Sequence, residues 1–134
     1  MTEPEKKDEG TLDADGAKPK KKKKKREKVS VPMPEQDPKV RVTNFNEVPL
    51  GYLPKQARQE ADRCYQCKGD RAKCVPACPV GVNIPKFVDE VVRGDFQAAI
   101  ETIMEDNLLP AICGRVCPQE EHCQMDCIGG VRGE

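Results

Sequence analysis

The sequence contains no tryptophan, two tyrosines and three phenylalanines. Hydrophobic residues make up 37% of its 134 positions and charged residues 34%. So few large apolar side chains exclude a conventional core over the whole length. No apolar run approaches the ~18 residues that cross a bilayer, which excludes a transmembrane helix. The opening MTEPEKKDEG lacks the apolar stretch of a secretory signal, so a cytoplasmic protein is expected. Net charge is also absent, because 23 basic and 23 acidic residues cancel. Histidine is limited to His122, and the first 63 residues contain no cysteine.

What the second half does contain is eight cysteines: Cys64, Cys67, Cys74, Cys78, Cys113, Cys117, Cys123 and Cys127. The first four are spaced C-x2-C-x6-C-x3-C and run directly into Pro79. The last four are spaced C-x3-C-x5-C-x3-C, after 34 residues without cysteine. Each set offers four thiols, the number that ligates one tetrahedral ion or one [4Fe–4S] cluster. Three readings compete. Disulfides need an oxidising compartment, which the missing signal argues against. Zinc sites favour paired C-x2-C knuckles, often with histidine, and here there is one such knuckle and one histidine. Iron–sulfur clusters fit best. Bacterial ferredoxins carry C-x2-C-x2-C-x3-C-P, and both its opening and its ending recur here around a wider middle gap.

The organisation along the chain follows from composition. Residues 1–30 read as a disordered charged tail, with an acidic start leading into KPKKKKKKREK at 18–28. Such a run could attract nucleic acid or an acidic partner. No aromatic residues are interleaved for base stacking, so a solvated tail is the expectation and nucleic acid is not. Residues 31–53, with Pro32, Pro34, Pro38 and Pro49, read as an extended arm. Val40, Val42 and Phe45 could pack onto the next domain or a partner.

Residues 54–130 read as a helical domain, and 131–134 as a truncated end. Pro54 opens a helix in which Ala57, Ala61 and Cys64 share a face. Asn83 and Pro85 open another, with Ile84, Phe87, Val88, Val91 and Val92 on one face and Gly94 closing it. Asp95 caps a third, with Phe96, Ala99, Ile100, Ile103 and Met104 on its apolar face. The aromatic and methionine positions read as a small core rather than a cofactor box. After Asn107 the chain reads as loop-rich, because Pro110, Gly114 and Pro118 interrupt any long helix. Leu108, Leu109 and Ile112 are placed to shield a cluster. With so small a core, metal ligation is expected to supply much of the folding energy.

Three stretches, EADRCYQCK, CPVGVNIPKFVDEVVRGDFQAAIETIMEDNLLPAICGRVCPQEEHC and CIGG, carry a resemblance. They resemble the N-terminal domain of the NADPH-dependent glutamate synthase small (beta) subunit. Similar domains occur in electron-bifurcating ferredoxin:NADP oxidoreductases and in dihydropyrimidine dehydrogenase. VPMPEQDPKVRVTNFNEVPLGY is similar to the family's upstream arm, so the resemblance covers residues 28–134. It implies an all-α, small helical ferredoxin-like domain around two [4Fe–4S] clusters. It implies that Cys64, Cys67, Cys74 and Cys127 ligate one cluster, and that Cys78, Cys117 and Cys123 ligate the other. For the last ligand, Cys113 is the available thiol. The alternative is a Gln or Glu further along, with Cys113 a buried free thiol.

The resemblance further implies FAD and NADPH in a downstream region or partner. Partners would be a flavin/NADPH-binding region or subunit and a large glutamate synthase-type or ferredoxin-linked subunit. No G-x-G-x-x-G fingerprint occurs, so this chain does not bind a dinucleotide by itself. No acid–base or nucleophile pair stands out, and the chain reads as a non-catalytic electron-transfer module. Arg63, Lys68, Arg71, Lys73 and Arg115, next to the cysteines, could raise cluster potentials; the bland reading is solvated charge. The competing class is a zinc-stabilised binding module that uses its basic tail.

Overall fold

The structure is a computed structural model that describes residues 26–132. The disordered-tail expectation for residues 1–25 lies outside them. Among the described residues there is no β-strand, and the architecture is all-α as expected.

Five of the helices start where the sequence supplies a capping side chain or a proline. Asp37 accepts the Lys39 N–H at 2.8 Å and opens α1, Pro38–Arg41, a single turn within the arm. Helix α2, Pro54–Ala61, begins with Pro54 at its first position, and Gln56 Oε1 accepts the Leu53 N–H at 2.9 Å. The four-residue α3, Cys74–Ala77, follows a 3-10 turn at Gly69–Arg71. Asn83 caps α4, Ile84–Arg93, by accepting the Lys86 N–H. Gly94 ends it at φ 84°, a left-handed value that favours glycine. Asp95 Oδ1 accepts the Ala98 N–H at 3.0 Å and starts α5, Phe96–Met104. Then come α6, Pro110–Val116, a 3-10 turn at Gln119–Glu121, and α7, Ile128–Val131.

The α4–α5 hairpin is the main packing unit, and α2 lies against α4. Arg58 on α2 donates its Nε to the Val92 carbonyl at 3.0 Å, satisfying one of the orphan acceptors at the α4 C-terminus. Ala99 and Thr102 on α5 are buried, and their small size lets the two helices approach. Ala72 and Val82 complete the buried apolar set, and no large side chain among the described residues is fully buried.

Several expected core positions are corrected here. Phe96 and Met104 are 40% and 49% exposed, because the tight face of α5 is the Ala99–Thr102 side. Val40, Val42 and Phe45 do not pack onto the domain, and Phe45 is wholly exposed. The predicted shield of Leu108, Leu109 and Ile112 faces solvent. Cys64 is not on α2, which stops at Ala61; the chain turns there through a Cys64 N–H to Ala61 carbonyl bond. The arm itself folds back, with Glu35 and Pro49 forming an isolated antiparallel bridge.

Candidate metal centre

Seven of the eight cysteines sit at helix ends or in loops. Cys64 and Cys67 occupy the loop after α2, Cys74 begins α3, and Cys78 follows its end. Cys113 lies within α6 and Cys117 ends it. Cys123 follows the 3-10 turn, and Cys127 precedes α7. All eight are partly buried and none is in a disulfide.

Folding joins distant parts of the cysteine pattern. Burial raises the Cys64 thiol pKa, and the neighbouring Cys127 and Cys67 thiols raise it further. Burial and then Cys127, Cys64 and Cys123 push Cys74 up to about 11. One group therefore draws together Cys64, Cys67, Cys74 and Cys127, across more than fifty residues of sequence. The Cys123 thiol is raised by burial, then by Cys78 and Cys117, which defines a second group. Cys113 points elsewhere: its Sγ lies 3.6 Å from Oδ1 of the buried Asn107.

This donor set fits a cationic multi-iron core. Thiolates crowded into a partly buried region repel one another, and bound iron would supply the compensating charge. Among the described residues, no group of three Cys, His, Asp or Glu is set to hold a single metal ion. Backbone amides also point at sulfur. The Gln66 N–H donates to Cys64 Sγ at 3.4 Å, and the Cys123 and Gln124 amides favour the Cys123 thiolate. Such bonds set cluster potential in ligating loops. Gln66 holds its amide in place with φ 50°, and its side-chain Nε2 is buried without a partner.

The cations expected from sequence proximity are differently disposed. Arg63 is paired with Glu60, and Arg115 with Glu47. Lys68, Arg71 and Lys73 are exposed on the loop between Cys67 and Cys74. That loop forms one wall of an open groove of about 970 Å³, with Asn83 and Lys86 opposite. Sequence reasoning missed Arg26, Arg132, Tyr65, Gln66 and Asn107. Tyr65 and Gln66 were visible as the two residues inside C-x2-C. Arg26 sits in a lysine-rich run with no local signal that it returns to the domain.

Small all-helical domains that hold clusters through loop cysteines are the class defined by this arrangement. The family model described as dihydropyrimidine dehydrogenase domain II, 4Fe-4S cluster, matches residues 41–134. The chain belongs to that family, and it is an iron–sulfur domain for electron transfer. It is similar to AegA of Escherichia coli K12, 39% identical over 66% of this chain and 13% of that protein. Similarity extends to the NAD-dependent dihydropyrimidine dehydrogenase subunit PreT of Salmonella typhimurium, 41% identical over 62% of this chain and 20% of that protein. The glutamate synthase [NADPH] small chain of Halomonas elongata is 38% identical over 70% of this chain and 20% of its own length. The chain thus spans a fifth or less of the length of these relatives. No helix among the described residues is long and apolar enough to cross a membrane.

Proposed function

We propose that this domain carries two [4Fe–4S] clusters and relays single electrons between a flavin and a partner, as part of an NADPH-dependent glutamate synthase-like oxidoreductase. The observation that carries the reading is the crossing of the cysteine sets: Cys127 joins the first set, while Cys78 joins Cys117 and Cys123. The same crossing links the two clusters of bacterial ferredoxins. Cys64, Cys67, Cys74 and Cys127 hold one cluster. Cys78, Cys117 and Cys123 hold the other, with Cys113, one helical turn before Cys117 on α6, as its fourth thiol. Each bound cluster supplies a one-electron carrier.

The protein's own work is to orient the thiolates, keep water from part of each group and aim backbone amides at sulfur. The Cys74 thiol of the first group also feels Cys123 of the second, which supports a short electron route between the two. FAD and NADPH would belong to a further region or a partner subunit. The relatives' greater lengths support that division.

The test is iron, acid-labile sulfide and zinc in anaerobically prepared protein. About eight irons and eight sulfides per chain are expected for two clusters. About four of each would leave one cluster in this chain. Zinc without sulfide, persisting after anaerobic reconstitution, would overturn the reading in favour of a zinc-stabilised binding module.

A further inference from the structure

Tyr65, inside the Cys64–Cys67 loop, carries two guanidinium groups. Arg26 lies 5.0 Å and Arg132 5.5 Å from its ring centroid. Arg26 Nε also donates to the Cys64 carbonyl at 3.2 Å, and Arg132 Nη1 lies 3.5 Å from Tyr65 Oη. Arg132 ends the short helix that Cys127 begins. The same ring borders Gly129: a Cβ built there would lie 3.6 Å from Tyr65 and 3.7 Å from Cys127 Sγ. The two arginines therefore meet where the first and last cysteines of the pattern come together.

Hydrogen bonds to the end of α2 carry the segment that holds Arg26 to this point. Residues 26–31 run beside the end of α2. Arg63 Nη2 donates to the Lys28 carbonyl at 3.4 Å, and the Val31 N–H donates to Glu60 Oε2 at 2.7 Å. Arg26 precedes the family-matched residues 41–134 altogether.

We propose that Arg26 and Arg132, stacked on Tyr65, set the potential of the cluster at Cys64, Cys67, Cys74 and Cys127 by stabilising its one-electron-reduced form. The inference rests on the two-cluster reading above. Reduction adds one negative charge to the cluster, and a fixed cation within a few ångströms favours that state. Arg26 is held against the ligating loop by its bond to the Cys64 carbonyl. Arg63 and Arg115 differ, because each is bonded to a carboxylate that offsets its charge. The segment before the family region thereby becomes part of the redox centre, rather than only a solvated tail.

The experiment uses the full chain, reconstituted anaerobically and titrated with dithionite while EPR follows each cluster. The first cluster is the one whose signal changes in Cys127→Ser. Arg26→Gln and Arg132→Gln should each lower its reduction constant by about three- to tenfold, a tenfold change being ~59 mV for one electron. The second cluster should move less than about twofold, Arg26→Lys should retain most of the effect, and iron content should not change. Unchanged constants at full iron content would overturn the inference and leave the two-cluster reading intact. Equal shifts in both clusters would overturn it too. Should an arginine variant lose iron, salt dependence of the unmodified chain reads the same charge. High salt should lower the first cluster's constant more than the second's, and an equal response in both sinks the proposal. Unmodified protein without iron and sulfide would defeat the underlying reading itself.

Discussion

Arg115 on α6 grips Glu47 of the arm across 68 residues of sequence, with Nε–Oε1 at 2.6 Å and Nη2–Oε2 at 3.2 Å. Its Nη1 also donates to the Ala111 carbonyl, which fixes the fork in place. The guanidinium holds the Glu47 carboxyl below its usual range, and the carboxylate holds Arg115 above its own. A depressed acid stabilises the fold above its unfolded pKa of 4.5, and that contribution is lost as pH falls through the folded value. Glu47→Gln should therefore release the arm at neutral pH, as acidification does in the wild type. Limited proteolysis between residues 42 and 50 reads this out. Both groups are exposed, so cleavage should rise by no more than about fivefold. Equal rates in both proteins would show that the pair does not hold the arm.

Cys113 and Asn107 pose the sharpest question about ligation. Asn107 Oδ1 accepts the Leu109 N–H at 3.0 Å and also faces the Cys113 thiol. For Cys113 to ligate, that thiol must leave the asparagine. If it does, Cys113→Ser should lower iron from about eight to about seven per chain, and a three-iron EPR signal should appear. Asn107→Leu should not lower iron, because it removes the competing partner. Full iron in Cys113→Ser would instead make Cys113 a buried thiol, with the fourth ligand supplied from another residue.

Local signals were legible in the sequence, and long-range ones largely were not. Asn83, Gly94 and Asp95 act through hydrogen bonds to residues three or four positions away, so their roles follow from spacing. The helix through Gly114 was not expected, since glycine weakens a helix interior; Pro110 at its start and the Cys117 N–H bonding back to Cys113 sustain it. Periodicity placed Phe96 and Met104 on an apolar face, but a face is buried only where a partner covers it. The union of Cys127 with Cys64 was implied by resemblance and not by spacing. The return of Arg26 to Cys64 had no sequence signature, because charge runs of this composition normally stay in solvent.

Gln66 has a left-handed backbone at φ 50°, which costs a non-glycine residue roughly 1–2 kcal/mol. In this conformation its N–H donates to Cys64 Sγ at 3.4 Å. Gln66→Gly should keep the bond, relieve the strain and remove a buried unpartnered amide nitrogen. Stability should rise by about 1 kcal/mol in chemical denaturation. Gln66→Pro should destabilise the fold, because proline has neither the N–H nor access to this φ. A lower midpoint for Gln66→Gly would mean that the side chain contributes more than its backbone costs.

Gly130 sits under the Gln124 carbonyl so closely that a Cβ would come 2.3 Å from the oxygen. That carbonyl also accepts the Cys127 N–H at 3.1 Å and so shapes the loop that presents Cys127. Gly130→Ala must push α7 off this loop, with an overpacking cost of about 1–3 kcal/mol. The expected result is selective: the cluster that includes Cys127 should lose iron first during exposure to air, while the other cluster decays as in the wild type. Gly129→Ala is the matched control, since its Cβ meets Tyr65 and Cys127 at ordinary contact distances of 3.6 and 3.7 Å. Iron release followed by absorbance, with EPR to separate the clusters, checks both variants. Equal behaviour of the two alanine variants would show that the loop yields at Gln124, and that the close approach at Gly130 does not hold Cys127 in place.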